Sequence, residues 1–131
     1  MALKKGAQTV EVVPGRRIIC STGVGKTNVD EIKWLTETVL NEAKSWKATG
    51  WGYIPDCTEM DPVTPDVGNE LVTMTKKFVE NGCKAAAFID GSAVVLKVQA
   101  QSHTKRSNTG LAEGHFRTRD EALNWLKEMH L

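Results

Sequence analysis

The residues with the clearest chemical potential lie in Gly23 to Thr27, GVGKT. A phosphate-binding loop has the form G-x-x-x-x-G-K-[ST]. Its backbone amides wrap the phosphates while the lysine and the hydroxyl meet phosphate and magnesium. Gly25, Lys26 and Thr27 fit that form, but Cys20 stands where the first glycine is required. A phosphate- or nucleotide-handling protein built on this loop is therefore the alternative reading. Beside it stands a plain strand-to-helix turn, whose amides can still hold a small anion.

A second group gathers where strands are expected to end. Cys20 and Ser21 follow one apolar run, Asp56, Cys57 and Thr58 a second, and Asp90 and Ser92 a third. In a parallel sheet such ends converge on one rim, where α/β proteins place their ligands. Asp56 also has the position of a phosphoacceptor in a receiver domain, but the acidic pair and the lysine that go with it are missing. Cys57 has no histidine near it in sequence, which favours a spectator thiol over a nucleophile. His103, His115 and His130 show no metal-ligand spacing and read as surface residues. No catalytic set, metal site or cofactor emerges, and the expectation is a protein that is not an enzyme.

The bulk properties are those of one globular domain. A chain of 131 residues with net charge +1 has no general pull toward nucleic acid. It contains no apolar run long enough to span a bilayer. Met1-Ala-Leu-Lys-Lys lacks the apolar core of a secretory signal. Three scattered cysteines without a CxxC fit a reducing cytoplasm, so a cytoplasmic location is expected. Charge is uneven: Ile54 to Glu70 carries Asp56, Glu59, Asp61, Asp66 and Glu70 without a base, whereas Lys97 to Arg119 is basic apart from Glu113. Two solvated faces explain this, as does a surface that meets an oppositely patterned partner.

The elements that would position these residues alternate. Thr9 to Val13 predicts an edge strand, Pro14-Gly15 a turn, and Arg16 to Ser21 an antiparallel neighbour. Thr22 to Thr27 reads as a glycine-bearing loop. Asn28 and Glu31 have capping-box spacing, and Ile32, Leu35, Val39, Ala43 and Trp46 mark the inner face of a helix. Trp34 falls on its opposite face, so another element or a partner must cover it. Trp51 to Pro55 is the third strand. Thr64 with Pro65 starts a second helix whose stripe is Val67, Leu71, Met74 and Phe78, and Gly82 ends it. Lys84 to Asp90 is apolar through its middle and predicts a central strand. Residues 93–101 fit either periodicity and are taken as a helix with Val94, Val98 and Gln101 on one face. His115 to Arg117 is the last strand. Thr118 and Glu121 cap a final helix with Ala122, Trp125, Leu126 and Met129 inside. The class is α/β, with a mixed, mostly parallel five-stranded sheet and flanking helices. It forms a single domain over 1–131 with an ordered core over about 9–130.

This order of elements, the WGYIPD strand end and above all FRTRDEALNWLKE resemble the STAS-like, SpoIIAA-like family of small bacterial proteins. The closing helix of that family reads E-A-x-x-W-L, matched by Glu121, Ala122, Trp125 and Leu126. The resemblance implies a non-enzymatic regulatory or binding module. Its partner would be a protein or a small apolar or anionic ligand, held at a rim made by Ser21, Thr22, Gly23, Gly25 and Lys26 with Asp56, Cys57 and Thr58. In the anti-sigma antagonists a serine or threonine after the third strand is phosphorylated. The corresponding region here lacks the Asp-Ser-Ser-Gly run and offers Thr58 or Thr64. Thr64 as an N-cap has its hydroxyl taken by the helix. A homodimer formed by pairing the edge strand Thr9 to Val13 with its twin is a further expectation.

Overall fold

A computed structural model describes residues 2–131. Six strands form one sheet in the order of the chain: β1 Ala2–Lys5, β2 Gln8–Val12, β3 Ile18–Gly25, β4 Trp51–Met60, β5 Cys83–Ile89 and β6 Ala112–Phe116. The first two junctions are antiparallel and the remaining three parallel. Helices α1 Val29–Ala43, α2 Pro65–Glu80 and α3 Val94–Ser107 make the crossovers of the parallel part, and α4 Arg119–Glu128 follows β6.

Alternation along the strands sorts the core into two layers. Ile19, Trp51, Tyr53 and Ala86 pack with Ile32, Leu35, Val67 and Phe78 of α1 and α2. On the opposite face Ile18, Cys20, Ile54, Ala85 and Ala87 pack with Ala122 and Leu126 of α4. Gly52 lies on this second face, where a Cβ would come within 3.2 Å of the Leu126 methyls. The missing side chain at Gly52 is thus what lets α4 dock closely.

Local signals account for most helix boundaries. Asn28 Oδ1 accepts from the Glu31 amide at 2.9 Å, and Thr118 Oγ1 accepts from the Glu121 amide at 3.2 Å. Helix α2 begins at Pro65, and its end is closed by Gly82 at φ +98°. Ile32, Leu35, Val39 and Ala43 of α1 are buried as expected, whereas Trp46 falls past the helix end in a 3-10 turn and, like Trp34, is half-buried against the same layer.

Several expectations are corrected. The sheet has six strands, because Ala2–Lys5 forms an outer strand ahead of the expected core. Residues 9–12 therefore do not lie at an edge: β2 is paired on both sides, which removes the dimer expected through it. Thr22 to Gly25 is strand, not loop, and β4 runs five residues past Pro55. Residues 94–107 are helical, but Val94, Val95 and Val98 are exposed, and the helix seats itself through Leu96 and Ser107.

Two glycines at positive φ separate backbone strain from crowding. Around Gly15 (φ +73°) a Cβ would meet nothing within 4 Å, whereas at Gly82 that atom would lie 2.5 Å from the Lys47 carbonyl oxygen. Gly15→Ala should cost about 1 kcal/mol, the left-handed penalty alone. Gly82→Ala should cost roughly twice that or more. Urea midpoints at unchanged m-value measure both, and equal losses would refute the crowding.

Candidate functional site

Beyond the end of β5, strands β3 and β4 continue as a ribbon that carries most of the predicted rim. Asp56 pairs with Thr22 on one side and Ile89 on the other, so Asp56, Cys57 and Thr58 are strand residues and not the turn that follows a strand. Side chains therefore alternate, and the rim residues do not all face one way. Ser21 points toward the helices α1 to α3, where it meets Tyr53. Thr22 is half-buried, while Lys26 and Thr58 are exposed. Gly23 is buried beneath the Met60 side chain, which fills the space a Cβ would need. Thr58 is tied to Asp56 twice, donating its amide (3.1 Å) and its hydroxyl (2.7 Å) to the same carboxylate oxygen.

Under this ribbon, between the sheet and α1, α2 and α3, lies a cavity of about 80 Å³. Ser21, Tyr53, Asp56 and Cys57 line it from the strands, Phe78 from α2 and Leu96 from α3. Ser21 Oγ and Tyr53 Oη are 2.5 Å apart and both deeply buried. Tyr53 also receives the edge of Phe78, whose ring centroid is 5.0 Å away. At the lip, Gln99 of α3 acts as a strand-like partner for Val63. Its Oε1 accepts from the Val63 amide (3.0 Å) and its Nε2 donates to the Val63 carbonyl (3.1 Å).

Burial dominates the electrostatics. Removal from water raises the Tyr53 phenol well above its ordinary value. It pushes the Cys57 thiol up to about 12, with the negative charges of Asp56 and Asp90 adding to the effect. Cys20 is raised to about 11 and Cys83 to about 12, again chiefly by burial. His103, wedged over Gly68 of α2, is lowered by burial and by the neighbouring Arg106. At neutral pH these groups are uncharged.

The GVGKT run does not form a phosphate cradle. The Val24 amide donates to Ala7, and the Gly25 carbonyl accepts from Asp61, so the glycine-bearing stretch is held in the sheet. The buried Thr27 hydroxyl donates to Glu31 (2.8 Å) and accepts from Gln8 Nε2 (3.2 Å). Thr64 stands at the N-cap of α2 but accepts nothing there. Its hydroxyl donates to Asp66, correcting the expected cap, and this bond, with that of the Val67 amide, holds the exposed Asp66 below the usual carboxylate range.

His115, read as a surface residue, is nearly enclosed. Its Nδ1 meets Asp90 at 2.5 Å, its Nε2 meets Glu113, and its ring stacks on Phe88 at 5.1 Å. Register explains the cluster, since Phe88 of β5 lies opposite His115 of β6 and Glu113 is two residues away on the same face. Placing β6 beside β5 from its period-two pattern would have found it. Tyr53 and Phe78 were legible only as core residues, and Gln8 and Gln99 carried no signal. Among the described residues no group of three metal-ligating side chains forms a metal site, and no helix is long and apolar enough to cross a membrane.

No protein-family model matches the chain, and no curated protein does. The solved structures do contain a match. An uncharacterized protein of the DUF3478 family with a SpoIIAA-like fold, from Shewanella loihica PV-4, superposes with a TM-score of 0.70 at 17% identity, over 96% of this chain and 98% of that one. The fold is SpoIIAA-like. The resemblance read from the closing helix and the WGYIPD strand thus holds along the whole SpoIIAA-like chain, at the level of architecture.

The thiols supply a test of the cavity's dryness. Only the thiolate attacks a disulfide reagent, so at pH 8 native Cys57 and Cys83 should react on the order of a hundredfold or more slowly than in guanidinium. The folded state holds these thiol protons more tightly than the unfolded chain. Stability is therefore complete below the ordinary thiol value of 9.0 and falls as pH rises above it. A fast native reaction at Cys57, or a flat stability profile from about pH 8 to 10.5, would contradict the assignment.

Proposed function

We propose that the chain is a non-catalytic STAS-like module that binds a protein partner or a small ligand at the C-terminal rim of its sheet, over Ser21 to Lys26 and Asp56 to Asp66. The observation that carries this reading is the cavity directly beneath that rim, whose wall includes Ser21, Asp56 and Cys57. A binding role suits groups that are already engaged. The Thr27 hydroxyl serves Glu31, both His115 nitrogens face carboxylates, and burial keeps the Cys57 thiol protonated. Of the two phosphoacceptors the sequence offers, both exposed and each bonded to a nearby aspartate, Thr58 is the one on the ribbon. A phosphate there would stand beside Asp56 and Glu59, so that like-charge repulsion would disturb the ribbon. A protein-interaction role and a bacterial, cytoplasmic setting belong to the same proposal.

The double variant Asp56→Ala/Thr58→Ala removes the exposed polar part of the rim and leaves the core intact. Native mass spectrometry of protein from its own host, followed by pull-down, identifies what is bound. The variant should weaken that binding about a hundredfold or more, as expected for the loss of two neutral-to-charged hydrogen bonds, with an unchanged circular dichroism spectrum. Undiminished binding would remove the rim from the site.

A further inference from the structure

The cavity's chemistry is specific enough to name a class of ligand, an inference that rests on the rim reading and deepens it. A volume of about 80 Å³, at roughly 10–15 Å³ per water position, has room for about five to eight water-sized groups. The lining is mostly carbon, from side chains such as Ile32, Leu35, Met74 and Leu96, and it contains no lysine or arginine. His103 is the one lining base, and burial together with Arg106 disfavours its charged form. Asp56 at the mouth adds only negative charge. An anion inside would lie in a low-dielectric space without a counter-charge.

Of the other polar groups in the lining, Gln8, Thr75 and Gln99 hydrogen-bond within the protein and Thr104 is half-buried, which leaves one deeply buried hydroxyl pair. Ser21 and Tyr53 are 3% and 4% exposed, and each makes its side-chain hydrogen bond to the other. Two O–H groups share one bond, so one O–H hydrogen has no acceptor among the described residues, in a site where unpartnered donors are costly. We infer that the cavity binds a small uncharged molecule of about five to eight non-hydrogen atoms, largely apolar, with one oxygen that accepts a hydrogen bond from the Ser21–Tyr53 pair. The carbon wall, led by Phe78, supplies affinity, and the hydroxyl pair supplies orientation.

The experiment is a titration of the isotope-labelled full chain, followed through its backbone amides, with two matched pairs of probes. Phenol and toluene differ in one hydroxyl, and butyramide and butyrate differ in charge. Phenol and butyramide should give saturable shifts centred on Ser21, Tyr53 and Phe78. Toluene should bind about three- to tenfold more weakly than phenol, the worth of one neutral hydrogen bond, and butyrate should give no shift at neutral pH. Tyr53→Phe should erase the preference for phenol, with Ser21→Ala as the second variant should the first not fold. Ala100→Leu, which fills the cavity from α3 while keeping a strong helix former, should abolish binding of every probe.

Butyrate binding as tightly as butyramide would overturn the uncharged ligand, and toluene matching phenol would overturn the role of the hydroxyl pair. Silence from all four probes would mean that the cavity holds only water. That result would end this inference and leave the rim itself to be judged by the Asp56/Thr58 double variant.

Discussion

A parallel strand has to be covered on both faces, and that requirement organises this molecule. Trp51 to Pro55 of β4 is buried residue by residue, with strands on both sides and apolar layers above and below. Three crossover helices cover one face because β3, β4, β5 and β6 advance in one direction across the sheet. The other face is left to α4, and the fit is tight enough that Gly52 must lack a side chain beneath Leu126. The cavity is the complement of that arrangement. It lies on the face shared by three helices, where α3 is held mainly by Leu96 and by the paired hydrogen bonds of Gln99 to Val63.

Helices were legible in the sequence because their signals are local. Asn28 with Glu31 and Thr118 with Glu121 are capping pairs that need nothing from the rest of the fold, and the inner stripes of α1 and α2 repeat at helical spacing. Strand ends depend on neighbours. Thr22 to Gly25 and Asp56 to Met60 carry glycine, acids and exposed threonine, which read as loop when each stretch is taken alone. They are strands because each supplies the other with a hydrogen-bonding edge. β1 was illegible for the same reason, since Ala-Leu-Lys-Lys is exposed throughout and owes its conformation to β2.

The site was legible in outline and hidden in its chemistry. The rim was placed from the rule that parallel strand ends converge, and Ser21, Asp56 and Cys57 do border the cavity. Of the residues that decide what the cavity accepts, only Ser21 belongs to that rim. Tyr53 and Phe78 look like ordinary core in a linear reading, and only the 2.5 Å approach of Tyr53 to Ser21 shows a polar function. Thr64 shows the reverse case, in which a sound capping pattern is overridden because the Asp66 carboxylate takes the hydroxyl first.

Helix α4 also closes the molecule in time. The face made by Ile18, Cys20, Ile54, Ala85 and Ala87 has that helix as its cover. Arg16, from the turn between β2 and β3, donates to the Leu123 and Leu131 carbonyls more than a hundred residues further along the chain. Domains are synthesised from the N-terminus at about 5–20 residues per second. A nascent chain therefore holds a finished strand order with one oily side open to the cell until residues 119–128 have left the ribosome. Variants that weaken the docking of α4 would leave the same face uncovered in the finished chain as well.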